Sequence, residues 1–284
     1  MKAYYDKLME FNGAEPLKAL VSRWEVLSEN LSKRSFDAPI LLPDLFLYTS
    51  PGYGNTALLT LLADYLDSRK NLMTFYGDVK FFEFKLGYCR PDEVFTELYR
   101  LMEAARNAAG FRNEFRGLIR INIDEWIGHH KEKYFMEFLQ FLESKTSHWL
   151  IALSLSCSRR TEETTAMEAV VSMYLRLETL IFPQRTKEDL LGFAELHLAK
   201  YDLTLDDGAR AVLEESIEVL RGNKYFYGLH TIQDFCNDIV YVIYSGSTDV
   251  SHVITAEMIA GFGPEGDYIR RTITKVKKSV ALGF

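Results

Sequence analysis

Apolar and polar positions change period several times along the chain, and each change marks an element. Leu17, Leu20, Val21, Trp24 and Leu27 recur at helical spacing after Pro16, with Lys18 and Arg23 between them, and predict an amphipathic helix within residues 1–36. Pro39 and Pro43 break that pattern and lead into an apolar run from Leu45. Residues 45–62 read LFLYTSPGYGNTALLTLL, which is a strand, a glycine-rich turn and a helix that continues to about Leu66. After a connection over 67–78, KFFEFKL at 80–86 alternates as a second strand. Pro91 then stands in the first turn of a helix whose stripe is Val94, Phe95, Leu98, Leu101 and Met102.

A third strand, LIRINIDE at 118–125, ends on two acidic residues. His129 and His130 follow; adjacent histidines on a helix point about 100° apart and make poor co-ligands, so they read as surface residues, and a helix to Ser144 comes next. WLIALSLS at 149–156 is an apolar fourth strand and 178–182 a short fifth, closed by Pro183. Strands alternating with helices over 40–183 specify a mostly parallel α/β sheet with right-handed crossovers, whose ligand should sit at the carboxyl ends of the strands. Beyond Pro183 only helices are expected, at 187–201, 205–220 and 225–244. LTLDD at 203–207 supplies a cap for the second of these, Gly222-Asn223 ends it, and 253–259 forms a last amphipathic segment. The expected organisation is therefore a first domain over 1–183, a helical subdomain over 184–262 and a tail over 263–284.

Composition narrows the class. A chain of 284 residues can bury a large core without staples. Its net charge of -7 argues against general affinity for nucleic acid or an anionic membrane. Only the last segment is basic, through Arg270, Arg271, Lys275, Lys277 and Lys278, which reads as a solvated face. Cys89, Cys157 and Cys236 are odd in number, form no metal-ligand pair and read as buried small residues of a reduced, cytoplasmic protein. Neither a signal peptide nor a membrane span is expected.

The candidate chemistry lies in the first turn. The phosphate-binding P-loop pattern is G-x-x-x-x-G-K-[ST], and residues 49–56 read T-S-P-G-Y-G-N-T in the same register. Gly52 and Gly54 permit the positive φ values that turn backbone N–H groups onto a phosphate, and Thr56 would open the helix with its hydroxyl toward a magnesium ion. Thr49 departs from a glycine and Asn55 from the lysine. A charge-assisted contact contributes roughly 1.5–3 kcal/mol, so its loss weakens binding about 10- to 150-fold. Asp124 and Glu125 stand where such proteins hold magnesium and polarise water. Ser156 is either a γ-phosphate reporter or simply the residue that ends a buried strand.

In this order the parts resemble the AAA+ ATPase superfamily. The carrying stretches are TSPGYGNT, LIRINIDE and FPQRTKEDLLGFAELHLAKYDLTLDDGARAVL, and the last looks like the red-type Rubisco activase and sporulation-protein branch, with GNKYFYGLHTIQDF where that branch has a Gly-Asn-x-Arg helix start. The resemblance implies a P-loop NTPase-type parallel five-stranded sheet flanked by helices, followed by an all-helical lid. It further implies that Ser50, Pro51, Gly52, Tyr53, Gly54, Asn55 and Thr56 form the phosphate loop, with Thr56 and Asp124 on magnesium and Glu125 as catalytic base. Ser156 takes the first sensor position. Arg176 is a neighbour-facing arginine, for which Arg159 and Arg160 compete. Asn55 replaces the phosphate lysine, and Tyr225 stands where the lid sends an arginine to the nucleotide.

Two cationic contacts are gone while the acidic ones stay, so the expectation is a module with weak or no ATPase activity. It would bind ATP or ADP with magnesium weakly or not at all, and act with a protein partner or as a homo-oligomer. The competing expectation is an active ATPase in which Lys80 or a partner's arginine replaces the lysine. A DNA-handling initiator type is the third and least favoured class.

Overall fold

The computed structural model describes residues 2–33, 42–69, 71–72, 79–84, 93–109, 117–146, 149–246 and 252–270. The chain divides into two compact units, Met1–Ser50 with Asn55–Gln184, and Pro51–Gly54 with Arg185–Phe284.

The first unit is built on five strands, β1 (Asp44–Tyr48), β2 (Lys80–Phe84), β3 (Gly117–Asn122), β4 (Trp149–Leu155) and β5 (Leu177–Ile181). They lie in the order β2-β3-β4-β1-β5, and every neighbouring pair is parallel. Parallel neighbours need crossovers, and helices supply them: α3 (Asn55–Ser68), α4 (Val94–Ala109), α5 (Lys133–Glu143) and α6 (Glu162–Val171). Strands β1 and β4 are buried at every residue, as expected of apolar runs covered on both faces. On one face Phe46, Ile119, Ile121, Ile151 and Leu153 pack with Val94 and Leu98 of α4, Phe135 and Phe138 of α5, and Met167 of α6. α1 (Lys2–Glu10) and α2 (Glu15–Ser32) precede β1; α1 packs on α3, and α3 in turn on β2.

Several expectations meet corrections here. The stripe of α2 buries Leu17, Leu20, Val21 and Trp24, but Leu27 is half-buried and the inward position is Ser28, whose hydroxyl donates to Asn71 Oδ1 at 2.9 Å. α1 and α6 were not foreseen. His129 and His130 sit in turns before α5 and not on a helix, so the helical-period argument does not apply to them. His129 is exposed and bonded to Glu132, whereas His130 is buried. Cys157 is half-buried, and Cys236 is buried, which pushes its thiol up to about 12. Pro91, Cys89 and residues 85–86 of the expected second strand lie outside the described residues.

The second unit contains α7 (Lys187–Ala199), α8 (Asp207–Arg221) and α9 (Gly228–Gly246) around a core that includes Leu190, Leu213, Ile217, Ile232, Phe235 and Ile239. Thr186 caps α7 in a reciprocal box with Asp189, and Asp206 caps α8 by accepting from Ala209 N at 2.6 Å. α9 starts three residues later than Tyr225, because Tyr225 N–H is taken by Asn223 Oδ1 at 2.9 Å in the preceding turn. Besides its helices the unit has one short parallel pair, β6 (Thr204–Leu205) with β7 (Val253–Ile254), in place of the amphipathic segment expected from 253. Tyr268, expected in the tail, stacks on Phe262 at 4.0 Å, and Ile269 is buried.

Candidate functional site

The loop between β1 and α3 has the backbone of a phosphate cradle. Gly52 has φ +69° and Gly54 φ +95°, both left-handed values that side-chain-bearing residues rarely adopt. Within the second unit, Gly52 O accepts from Leu229 N at 2.9 Å, and a Cβ on Gly52 would collide with the Tyr227 carbonyl. Tyr53 O accepts from two nitrogens of Arg185, at 3.3 and 2.9 Å, and the guanidinium lies over the Tyr53 ring at 4.3 Å. Burial lowers the pKa of Arg185 from arginine's ordinary value. In trans peptides N–H and C=O point in opposite directions, so the N–H groups of Tyr53 and Gly54 face away from Leu229 and Arg185.

The two residues that depart from the P-loop pattern are bonded to each other. Asn55 Nδ2 donates to Thr49 Oγ1 at 2.7 Å, and both residues are buried. Thr49 is held in turn by its N–H on Leu155 O at 3.1 Å. The amide at the lysine position therefore turns one of its two N–H donors inside the protein, onto the hydroxyl that stands at the pattern's first glycine. Ser50 Oγ is buried and has no hydrogen-bond partner among the described residues.

Thr56 is also engaged. Its hydroxyl donates to Glu83 Oε2 at 2.9 Å, Glu83 Oε1 pairs with Arg120, and Arg120 Nε donates to Ser154 Oγ at 3.0 Å. This polar chain runs from the first turn of α3 across β2, β3 and β4, and Glu83 and Arg120 are register partners.

The acidic corner forms where β3 and β4 end. Asp124 opens a short three-ten turn, Asp124–Trp126, directly after the strand. Its Oδ1 accepts from Ser156 N at 2.6 Å and its Oδ2 from Asn122 Nδ2 at 3.0 Å, while the same Asn122 amide reaches Ser156 Oγ at 3.3 Å. Asp124 and Ser156 are thus brought together, with Asn122 between them. Glu125 is next in the chain and exposed.

Other expected residues lie elsewhere. Arg176 immediately precedes β5 and its carbonyl accepts from Asp44 N, which places it at the amino edge of the sheet, opposite Asp124 and Ser156. Arg160 is bound by both oxygens of Glu168. Arg159 is exposed. Lys80 begins β2 and is also at the amino edge, about 13 Å of strand from the carboxyl ends, so it cannot stand in for the lysine. Sequence reasoning missed Glu83, Arg120, Asn122 and Arg185. The signal for the first two was visible as opposite charges set inside apolar strands, KFFEFKL and LIRINIDE.

The glycines of the loop take the left-handed values that a phosphate cradle needs, and residue 55 is an asparagine where the pattern has lysine. Thr56 donates its hydroxyl hydrogen to Glu83 and keeps its oxygen lone pairs. Among the described residues no cluster of three or more His, Cys, Asp or Glu suited to a metal occurs.

No family model matches the chain, and no curated protein matches it. Solved structures do. It is similar to the Thermotoga maritima RuvB Holliday junction branch migration motor, at 12% identity over 95% of this chain and 78% of that one, with a TM-score of 0.55. It is likewise similar to C. elegans PCH-2, at 14% identity over 98% of this chain and 73% of that one, with a TM-score of 0.53. The likeness is one of fold: a parallel five-stranded sheet flanked by helices, followed by a helical region. No helix among the described residues is long and apolar enough to cross a membrane.

Proposed function

We propose that this AAA+ fold protein is a regulatory or assembly module whose nucleotide site has degenerated, with weak or no hydrolysis of ATP. The observation that carries this reading is the Asn55–Thr49 hydrogen bond. A lysine at that position would supply a full positive charge to the β and γ phosphates; an amide turned inward supplies none. Phosphoryl transfer depends on positioning and on neutralising charge at the transferring group, so hydrolysis suffers more than binding. Glu125, Asp124 and Ser156 are then remnants of base, metal and sensor positions, and Arg176 is the group left to face another molecule. The module's partner is a protein or a second copy of the chain, in a cytoplasmic setting.

Two observations favour a second reading, a nucleotide-binding ATPase that remodels a protein partner: the loop holds both left-handed glycines, and Asp124 meets Ser156. It requires a cation from another molecule, since Lys80 is at the wrong edge. One of the structural neighbours is a Holliday junction motor. For this chain the net charge of -7 favours a protein partner over a nucleic acid. Steady-state phosphate release from ATP with magnesium, measured over a range of protein concentrations, tests the proposal. No turnover, or a weak turnover per protomer that stays constant with concentration and is unchanged in Arg176→Ala, is expected; turnover per protomer rising with concentration and lost in Arg176→Ala would establish the second reading.

A further inference from the structure

We infer that Glu83 is a built-in competitor of phosphate, an internal anion that occupies the place at the start of α3 where a phosphate would be favoured. The inference rests on the degenerate-site reading above and names what regulates that site. The amino end of a helix carries partial positive charge and unsatisfied N–H groups, so an anion is stabilised there. The chain already places one beside it: the Glu83 carboxylate accepts from the side-chain hydroxyl of Thr56, an exposed residue in the first turn of α3, at 2.9 Å. Glu83 is not a surface side chain that happens to rest nearby. Its other oxygen is paired with Arg120, the two side chains are only 19% and 11% exposed, and Arg120 is fixed by Ser154, which is fully buried. The carboxylate is therefore held in position from behind, and it can leave only by breaking a largely buried ion pair.

Two consequences follow for an incoming polyphosphate. It meets a fixed like charge, and close like charges in partly buried surroundings repel strongly. It also finds the hydroxyl of Thr56 already used as a donor. The missing lysine and the present glutamate act in the same direction, so Asn55→Lys alone leaves the second obstacle in place. A different role would have the opposite sign. If Glu83 served to orient Thr56 for a divalent cation, neutralising it would weaken magnesium-dependent binding.

Calorimetry with pyrophosphate and with ADP, each with and without magnesium, separates these cases. The proteins are the wild type, Asn55→Lys, and Asn55→Lys combined with Glu83→Gln. Because a lone glutamine leaves Arg120 without its ion pair, Asn55→Lys with Glu83→Gln and Arg120→Gln removes both charges together and guards against a folding artefact. Removing the Glu83 charge is expected to tighten metal-free ADP and pyrophosphate binding at least tenfold over Asn55→Lys alone, in both combinations. Unchanged affinity in both combinations overturns the inference. So does weaker binding confined to magnesium-containing samples, which would make Glu83 a metal-positioning residue. Micromolar binding by the wild type contradicts the degenerate-site reading and not the competitor; the same Glu83→Gln comparison in the wild-type background then tests the competitor.

Discussion

The glycine loop and the acidic corner compare differently with the P-loop pattern. At the acidic corner the residue types that the sequence pattern asks for are present, and they meet: Asp124 accepts from Ser156 N, with Asn122 bridging. At the loop both glycines take left-handed values, but residue 55 is an asparagine where the pattern has lysine, and it is paired internally with Thr49. On the proposed reading, a site can lose its ligand chemistry without losing its shape, because the two residues that depart from the pattern are partners of each other inside the protein. A lone Asn55 would have left a buried amide unsatisfied; a lone Thr49 would have crowded the turn with an idle hydroxyl.

The largest effect expected lies outside both sides and must be separated from them. Burial raises the Asp44 carboxyl to about 7 from 3.8, against the lowering influence of its bond from Ile151 N and of the Arg176 charge. The folded state then holds a proton that the unfolded chain releases, so this group favours folding at acidic pH and its contribution is lost as pH rises from about 4 to about 7. A shift of about three units at 1.36 kcal/mol each corresponds to roughly 4 kcal/mol at most. Asp44→Asn keeps the acceptor for Ile151 N–H and should be more stable than the wild type at pH 8, with the difference vanishing near pH 4. Urea unfolding at both values checks this, and parallel profiles for the two proteins would contradict it.

Next in size is Gly52→Ala. It forces a left-handed backbone on alanine and drives a methyl group into the Tyr227 carbonyl, for a loss of about 3 kcal/mol. A melting temperature equal to the wild type's would mean that the loop does not hold the described conformation.

The two sides can then be compared directly. Asp124→Ala orphans the Ser156 N–H and one donor of Asn122; half-exposure reduces the loss to about 1.5 kcal/mol, and Asp124→Asn should recover most of it. Thr49→Val keeps the volume but removes the acceptor for the buried Asn55 amide, at about 1 kcal/mol. Comparable losses in denaturant titrations would support internal pairing on both sides. No loss in Thr49→Val would show that the Asn55 amide has another partner.

The sheet was legible because its period is: the apolar runs at 45–48 and 149–155, buried on both faces, announce themselves as parallel strands. That Asp124 and Ser156 each follow a strand was legible too; the hydrogen bond between them was not. The Asn55–Thr49 bond was not, although both misfits sit in one octapeptide, because only the closed turn brings residues six apart into contact. Glu83 escaped for a similar reason: its role depends on Thr56 and Arg120, which lie 27 residues before it and 37 after it in sequence. α6 was missed because its cap is a Thr161–Thr164 box, without the glutamate or glutamine that marks such boxes in sequence. His130 was misplaced because helical spacing was applied to a turn.

The most direct test of a degenerate site is ADP binding by calorimetry at constant pH, for the wild type beside Thr49→Gly with Asn55→Lys. Restoring both pattern residues should raise affinity about 10- to 150-fold, from none detectable in the wild type to a measurable constant. Micromolar binding by the wild type, left unchanged by the restored pair, would contradict the claim and mean that a cation other than residue 55 already serves the phosphates.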